Sequence, residues 1–149
     1  RLAQVYLDEH GVDVLALPGA GAAGGLAGGL AAAGATLVEG FELVADEVGF
    51  DDALEDADLV ITGEGFLDEQ SFDGKVVGGV VERAAAAGVP VLVIAGEVYD
   101  DAAERVEAVS LVERFGEERA KGDPLGCIAE VVSARFSARA PSRPPRQRG

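Results

Sequence analysis

Asp58-Leu-Val-Ile-Thr62, then Gly63-Glu-Gly-Phe-Leu-Asp-Glu-Gln-Ser-Phe-Asp-Gly-Lys75, then Val76-Val-Gly-Gly-Val-Val-Glu-Arg-Ala-Ala-Ala-Ala87, then Gly88-Val-Pro-Val-Leu-Val-Ile-Ala-Gly96: this stretch decides the fold. Residues 59–61 and 91–95 are apolar without in/out alternation, which describes strands buried on both faces of a parallel sheet. Between them Val77, Val80, Val81 and Ala84 recur at helical spacing, and Gly88 stands where a helix stops. Strand, helix, strand in that order is a βαβ unit.

Working outward, the same alternation continues. Residues 12–17 (Val, Asp, Val, Leu, Ala, Leu) are expected to form a strand that Pro18 ends, followed by an Ala/Leu helix to about Ala33 and a short strand from Ala35 to Val38. Short helices are expected over 41–48 and 51–57. A helix over 100–107 leads to a strand over 108–112. Residues 115–122 read as polar loop or weak helix. Asp123-Pro124 supplies a cap and a first-turn proline for a last helix to about Phe136. The fold class is therefore α/β, a three-layer α/β/α domain with a mainly parallel sheet over residues 1–136. Residues 137–149, rich in Arg and Pro, read as a disordered basic tail.

The chain has 149 residues and a formal net charge of −15. All 27 acids lie before residue 135, and the last fifteen residues carry five Arg and no acid. So acidic a body excludes nucleic acid as a partner, since phosphate backbones need cationic faces. One cysteine, Cys127, rules out an intramolecular disulfide, and no apolar run approaches a membrane span of ~20 residues. A cytoplasmic protein is expected. The chain begins at Arg1 inside a helical pattern, so it reads as the carboxyl-terminal portion of a longer polypeptide. The sequence does not set the oligomeric state.

Two segments carry candidate chemistry. The 63–75 segment is long for a strand-to-helix loop, where ~2–6 residues are usual, and it lies at a strand's carboxyl end, where α/β proteins place ligands. Glu64 and Asp68 are candidates for Mg²⁺ binding and for accepting a hydroxyl proton; Lys75 is a candidate phosphate contact. The other segment is Gly19-Ala-Gly-Ala-Ala-Gly-Gly25 at a helix entry, which suits an anion held by backbone N–H groups. Gly28 and Gly29 are assigned to helix packing. Gly19, Gly21 and Gly24 also spell G-x-G-x-x-G, and Glu39 falls about 20 residues on, as in an NAD(P)-binding Rossmann unit. An oxidoreductase domain built on that unit is the second reading.

Pro18-Gly-Ala-Gly-Ala-Ala-Gly-Gly25 followed by Leu59-Val-Ile-Thr-Gly-Glu-Gly-Phe-Leu-Asp-Glu-Gln-Ser-Phe-Asp-Gly-Lys75 resembles the bacterial glycerate kinase family, of the type that makes 2-phosphoglycerate. The 90–96 and 108–112 strands are similar too. The resemblance implies part of a larger two-domain kinase that phosphorylates D-glycerate from ATP with Mg²⁺. Such a portion is expected to be incomplete for activity by itself. It places Gly19, Gly21, Gly24 and Gly25 in the family's glycine loop, and Glu64, Asp68, Gln70, Ser71 and Lys75 in its second motif. On this reading Asp68 is base or metal ligand, Glu64 metal ligand, and Lys75 phosphate contact. Gln70 and Ser71 are substrate-binding. Phe66 stands where many members carry Arg.

Overall fold

The computed structural model describes residues 1–99 and 101–137, which fall into two compact units, residues 1–50 and the described residues from 51 onward. The basic tail expected from residue 137 lies, beyond Ser137, outside the described residues.

In the second unit, β1 (Val60–Leu67), β2 (Val91–Val98) and β3 (Glu107–Ser110) form a parallel sheet in the order β1-β2-β3. The α/β class and the parallel sheet are as expected. β2 is central, and residues 91–95 are all buried. Leu92 and Ile94 face helices α7 (Leu111–Phe115), α8 (Glu117–Gly122) and α9 (Pro124–Ser137), meeting Leu111, Ala120, Cys127 and Val131 in one cluster. Alternation along the strand turns Val91, Val93 and Ala95 to the other face. There α5 (Val76–Ala86), which packs on β1 and β2, contributes buried Val77, Val80 and Ala84. Helices thus cover both faces. Cys127 is the small buried hydrophobe its neighbours suggest.

The caps follow local chemistry. The Ser110 hydroxyl accepts from the Glu113 N–H and turns the chain from β3 into α7, two residues before the expected strand end. Asp123 Oδ1 accepts from the Gly126 N–H at the start of α9. A short α6 (Ala102–Arg105) stands where a longer helix was expected.

The larger correction is at β1. It runs past Thr62 to Leu67, so the first five residues of the expected loop are strand. The cause is β2, which continues past Ala95 and offers partners: Phe66 pairs with Glu97, and Leu67 with Val98. What remains is a 3-10 turn, Glu69–Phe72, and three residues before α5.

The first unit holds α1 (Leu2–His10), α2 (Ala22–Ala32) and α3 (Gly40–Glu47); α4 (Phe50–Glu55) begins at its last residue. Neither expected strand forms here. Residues 12–17 are turn and coil, with the Leu15 N–H bonded to Asp13 Oδ1 and the Ala16 N–H to the Asp13 carbonyl. Residues 35–38 are coil. A strand persists only where a neighbour takes its backbone groups, and among the described residues only β1, β2 and β3 pair. Without both strands there is no βαβ unit for a G-x-G-x-x-G fingerprint, and Glu39 occupies the N-cap position of α3 without a side-chain cap bond. The oxidoreductase reading falls with them.

Candidate active site

Asp68 stands at the carboxyl end of β1 and begins the 3-10 turn. Its Oδ1 accepts from the Ser71 N–H at 3.0 Å, and the Ser71 Oγ accepts from the Asp68 N–H at 3.1 Å. This reciprocal capping box satisfies two backbone donors at once. The Ser71 hydroxyl also lies 3.2 Å from Asp68 Oδ1 and 3.4 Å from the Phe66 carbonyl. Ser71 is fully buried. Asp68 Oδ1 is therefore fixed by local bonds, whereas Oδ2 has no partner among the described residues.

The turn is clamped from behind. A Cβ at Gly78 would lie 2.7–2.8 Å from the Phe72 backbone, so only glycine lets α5 approach this closely. From another side the Arg105 guanidinium lies 4.0 Å from the centre of the Phe72 ring. Lys75, exposed, occupies the N-cap position of α5 without a side-chain cap bond and pairs with no acid among the described residues. Gln70 is exposed.

Glu64 belongs to another part of the sheet. It lines a cavity of about 510 Å³ bounded by Ile61, Ile94, Leu111 and Ile128, a cavity that Asp68 and Lys75 do not line. Glu64 Oε1 is buried with no hydrogen-bond partner among the described residues. The described residues contain no group of three or more His, Cys, Asp or Glu able to hold a metal ion. Glu64 pairs with Ala95, so its side chain is on the α5 face of the sheet, while Asp68 begins the capped turn.

At the adjacent strand ends the rings of Phe66 and Tyr99 stack with centroids 6.1 Å apart, both largely exposed. The Tyr99 hydroxyl donates to Glu97, and that bond, with lesser contributions from desolvation and the Glu97 charge, pushes the phenol above its ordinary value. Sequence reading singled out neither Arg105 nor Tyr99. The available signal was their position just after β2, on the side where ligands collect.

In the first unit, Gly19–Gly25 forms the turn into α2. Ala23, Gly24 and Gly25 take φ of 52°, 70° and 92°, a left-handed run that glycine tolerates and Ala23 alone among described non-glycine residues shares. A Cβ built at Gly19, Gly21, Gly24 or Gly25 meets nothing within 4 Å. The loop faces open space.

Comparison with known proteins bears directly on these motifs. The profile of the glycerate kinase family matches residues 1–121. An uncharacterised protein of Mycobacterium tuberculosis (strain CDC 1551 / Oshkosh) is 41% identical over 141 residues, covering 89% of this chain and 37% of the relative. The glycerate 2-kinase of Escherichia coli (strain K12) is 47% identical over 100 residues, covering 66% of this chain and 26% of the relative. The crystal structure of a protein provisionally named glycerate kinase 2 from Salmonella typhimurium LT2 superposes with a TM-score of 0.55 at 34% identity, covering 93% of this chain and 38% of that one. The chain spans about a quarter to two-fifths of the length of such relatives.

Proposed function

We propose, starting from the fact that this chain belongs to the glycerate kinase family, that it contributes to ATP-dependent phosphorylation of D-glycerate, with 2-phosphoglycerate as product. The observation that carries this reading is the folded form of the motif at 62–75. It is an ordered, capped turn that leaves one oxygen of Asp68 without a protein partner at the carboxyl end of a parallel strand.

Phosphoryl transfer asks a protein for positioning and charge stabilisation more than for covalent chemistry. In this reading Asp68 Oδ2 accepts the proton of the glycerate hydroxyl while Oδ1 stays bonded to the Ser71 N–H. Lys75 places its ammonium on the phosphates, and exposed Gln70 faces the substrate. Ser71 is proposed to serve substrate binding indirectly, by fixing Asp68. The open, left-handed turn at 19–25 offers backbone N–H groups to an anion. The exposed faces of Phe66 and Tyr99 make the rim of the same strand ends apolar.

Mg²⁺ keeps several waters and needs only one or two carboxylates beside the nucleotide's phosphates. Asp68 Oδ2 would meet that demand if Asp68 served as ligand and not as base, and the described residues do not build a closed protein cage. When bound, the ion would neutralise phosphate charge. Glu64 is proposed as its second carboxylate ligand.

The test is turnover in the polypeptide that carries residues 1–149. Asp68→Asn is expected to lower kcat by ~10²–10⁴-fold, the usual loss for a general base, with the circular dichroism spectrum unchanged. Near-normal kcat would remove Asp68 from the mechanism. Chromatography separating 2- from 3-phosphoglycerate checks the product.

A further inference from the structure

We infer that Arg105 is a positioning residue for the phosphoryl transfer: its guanidinium, stacked on Phe72, holds the turn from which Asp68 acts. This role rests on the reading of the chain as a glycerate kinase with Asp68 as proton acceptor.

Asp68 and Phe72 are the two ends of one short segment, Asp68 as the cap of the 3-10 turn and Phe72 as its last residue. The turn has few backbone bonds of its own: the Ser71 N–H reaches the Asp68 carbonyl and the Asp73 N–H the Gln70 carbonyl. Its direction therefore depends on what touches it from outside. From α5 the contact is the close backbone approach at Gly78. From the connection between β2 and β3, contact is made on both sides of Asp68. Before Asp68, the Tyr99 N–H donates to the Leu67 carbonyl at 2.8 Å and the Tyr99 ring stacks on Phe66. After it, Arg105 covers the Phe72 ring at 4.0 Å.

The short helix α6 that carries Arg105 is itself anchored, because Ala102 at its start is fully buried. Arg105 makes no hydrogen bond or ion pair among the described residues, so the ring is its one side-chain partner there. Arg83, Arg119 and Arg135 differ, each pairing with a carboxylate. A guanidinium is flat and weakly hydrated, and it lies on an aromatic face while its edge stays in water. Phe72 is half-buried, and removing the arginine opens one face of its ring. The ring then has room to turn, and the backbone of the turn moves with it. Asp68 Oδ1 stays tied to Ser71, but Oδ2 loses its fixed direction toward the hydroxyl. Misplacing a reacting group by ~1 Å can cost ~10²-fold in rate. An exposed cation–π contact is weak, so the loss here is smaller.

The test uses the polypeptide that carries residues 1–149, with ATP, Mg²⁺ and D-glycerate. Arg105→Ala is expected to lower kcat about three- to tenfold, with both Michaelis constants changed less than about twofold. Arg105→Lys keeps a cation over the ring and should restore part of the loss. Phe72→Leu keeps apolar bulk and should cost about as much as Arg105→Ala, and the double variant no more than either. Arg114→Ala, which takes an arginine from Phe115 on α7, should leave kcat unchanged. Losses that multiply in the double variant would mean that Arg105 and Phe72 act separately, and would overturn the role. So would a raised Michaelis constant with kcat intact, the mark of direct contact with a substrate. An equal loss in Arg114→Ala, the mark of removed charge alone, would do the same. If Asp68→Asn loses turnover and Arg105→Ala does not, the positioning role falls and the kinase reading stands. Near-normal kcat in Asp68→Asn overturns both.

Discussion

Residues 12–17 and residues 91–95 are both short apolar runs, and they meet opposite fates. Val91–Ala95 is the middle of a sheet, with neighbours on both edges and helices on both faces. Val12–Leu17 is turn and coil, and Leu15 is 84% exposed. The contrast extends to the units around them. Buried hydrophobic residues of 1–50 are Ala20, Ala31 and Ala45, whereas the second unit buries Leu, Val, Ile and Cys side chains. Hydrophobicity makes a segment able to be a strand. Neighbouring strands and a covering layer make it one, because backbone groups and side chains must both find partners.

The sharpest way to break that comparison is a matched pair of truncations. Leu92→Ala removes a side chain that is 2% exposed at the centre of the core and should cost about 2–5 kcal/mol. Leu15→Ala removes one that touches little and should stay within about 0.5 kcal/mol. Urea melts of the chain measure both. Equal losses would mean that residues 12–17 are packed in solution, and the distinction would collapse.

The site offers a smaller test of the same idea. Ser71 is a polar residue buried only because its hydroxyl and N–H are matched to Asp68 and the turn. Ser71→Ala leaves the Asp68 N–H without its partner and should cost about 1–3 kcal/mol by the same urea melt. With the Asp68 carboxylate freed from one bond, kcat of the polypeptide should fall more than the Michaelis constants change. A stability loss with kcat untouched would make Ser71 structural alone.

These contrasts explain what the sequence could reveal. α5 and α9 were legible because periodicity, caps and stops agreed, and β2 was legible to Ala95 but runs on to Val98. The continuation of β1 through Gly63-Glu64-Gly65 was not, since glycine and glutamate are poor strand residues and the decision lay with β2, thirty positions on. The run at 12–17 misled for the converse reason: its residues describe a buried environment that no described neighbour supplies. At the site, the motif named Glu64, Asp68, Ser71 and Lys75 together, but spacing in a loop says nothing about direction. Once 63–67 is strand, Glu64 pairs with Ala95 and turns to the α5 face, and Asp68 is drawn into a cap. The capping box itself was written in sequence as Asp68-x-x-Ser71, one step removed from the usual pattern.

The smallest expected effect lies on the exposed face of α8, far from any such matching. Lys121 bonds Glu117 one turn earlier, and that hydrogen bond, then the Coulombic attraction, lowers the Glu117 carboxyl below its ordinary value. A depressed folded-state value means the contribution is present above the unfolded value, about 4.5, and is lost as pH falls through the folded one. The partner runs the other way: the Lys121 ammonium is raised above its ordinary value by the same bond, so its share is present below about 10.5 and is lost as pH rises through the folded value. Both groups are solvent-exposed, so water and salt screen the pair. Glu117→Gln should therefore leave the urea midpoint at pH 7 almost unmoved, and the small difference from the unaltered chain should vanish as pH falls through the folded value and in high salt. A large, salt-resistant loss would show that α8 is held by this pair and not by Ala120 in the core, which would make the second unit depend on its surface as well as on its centre.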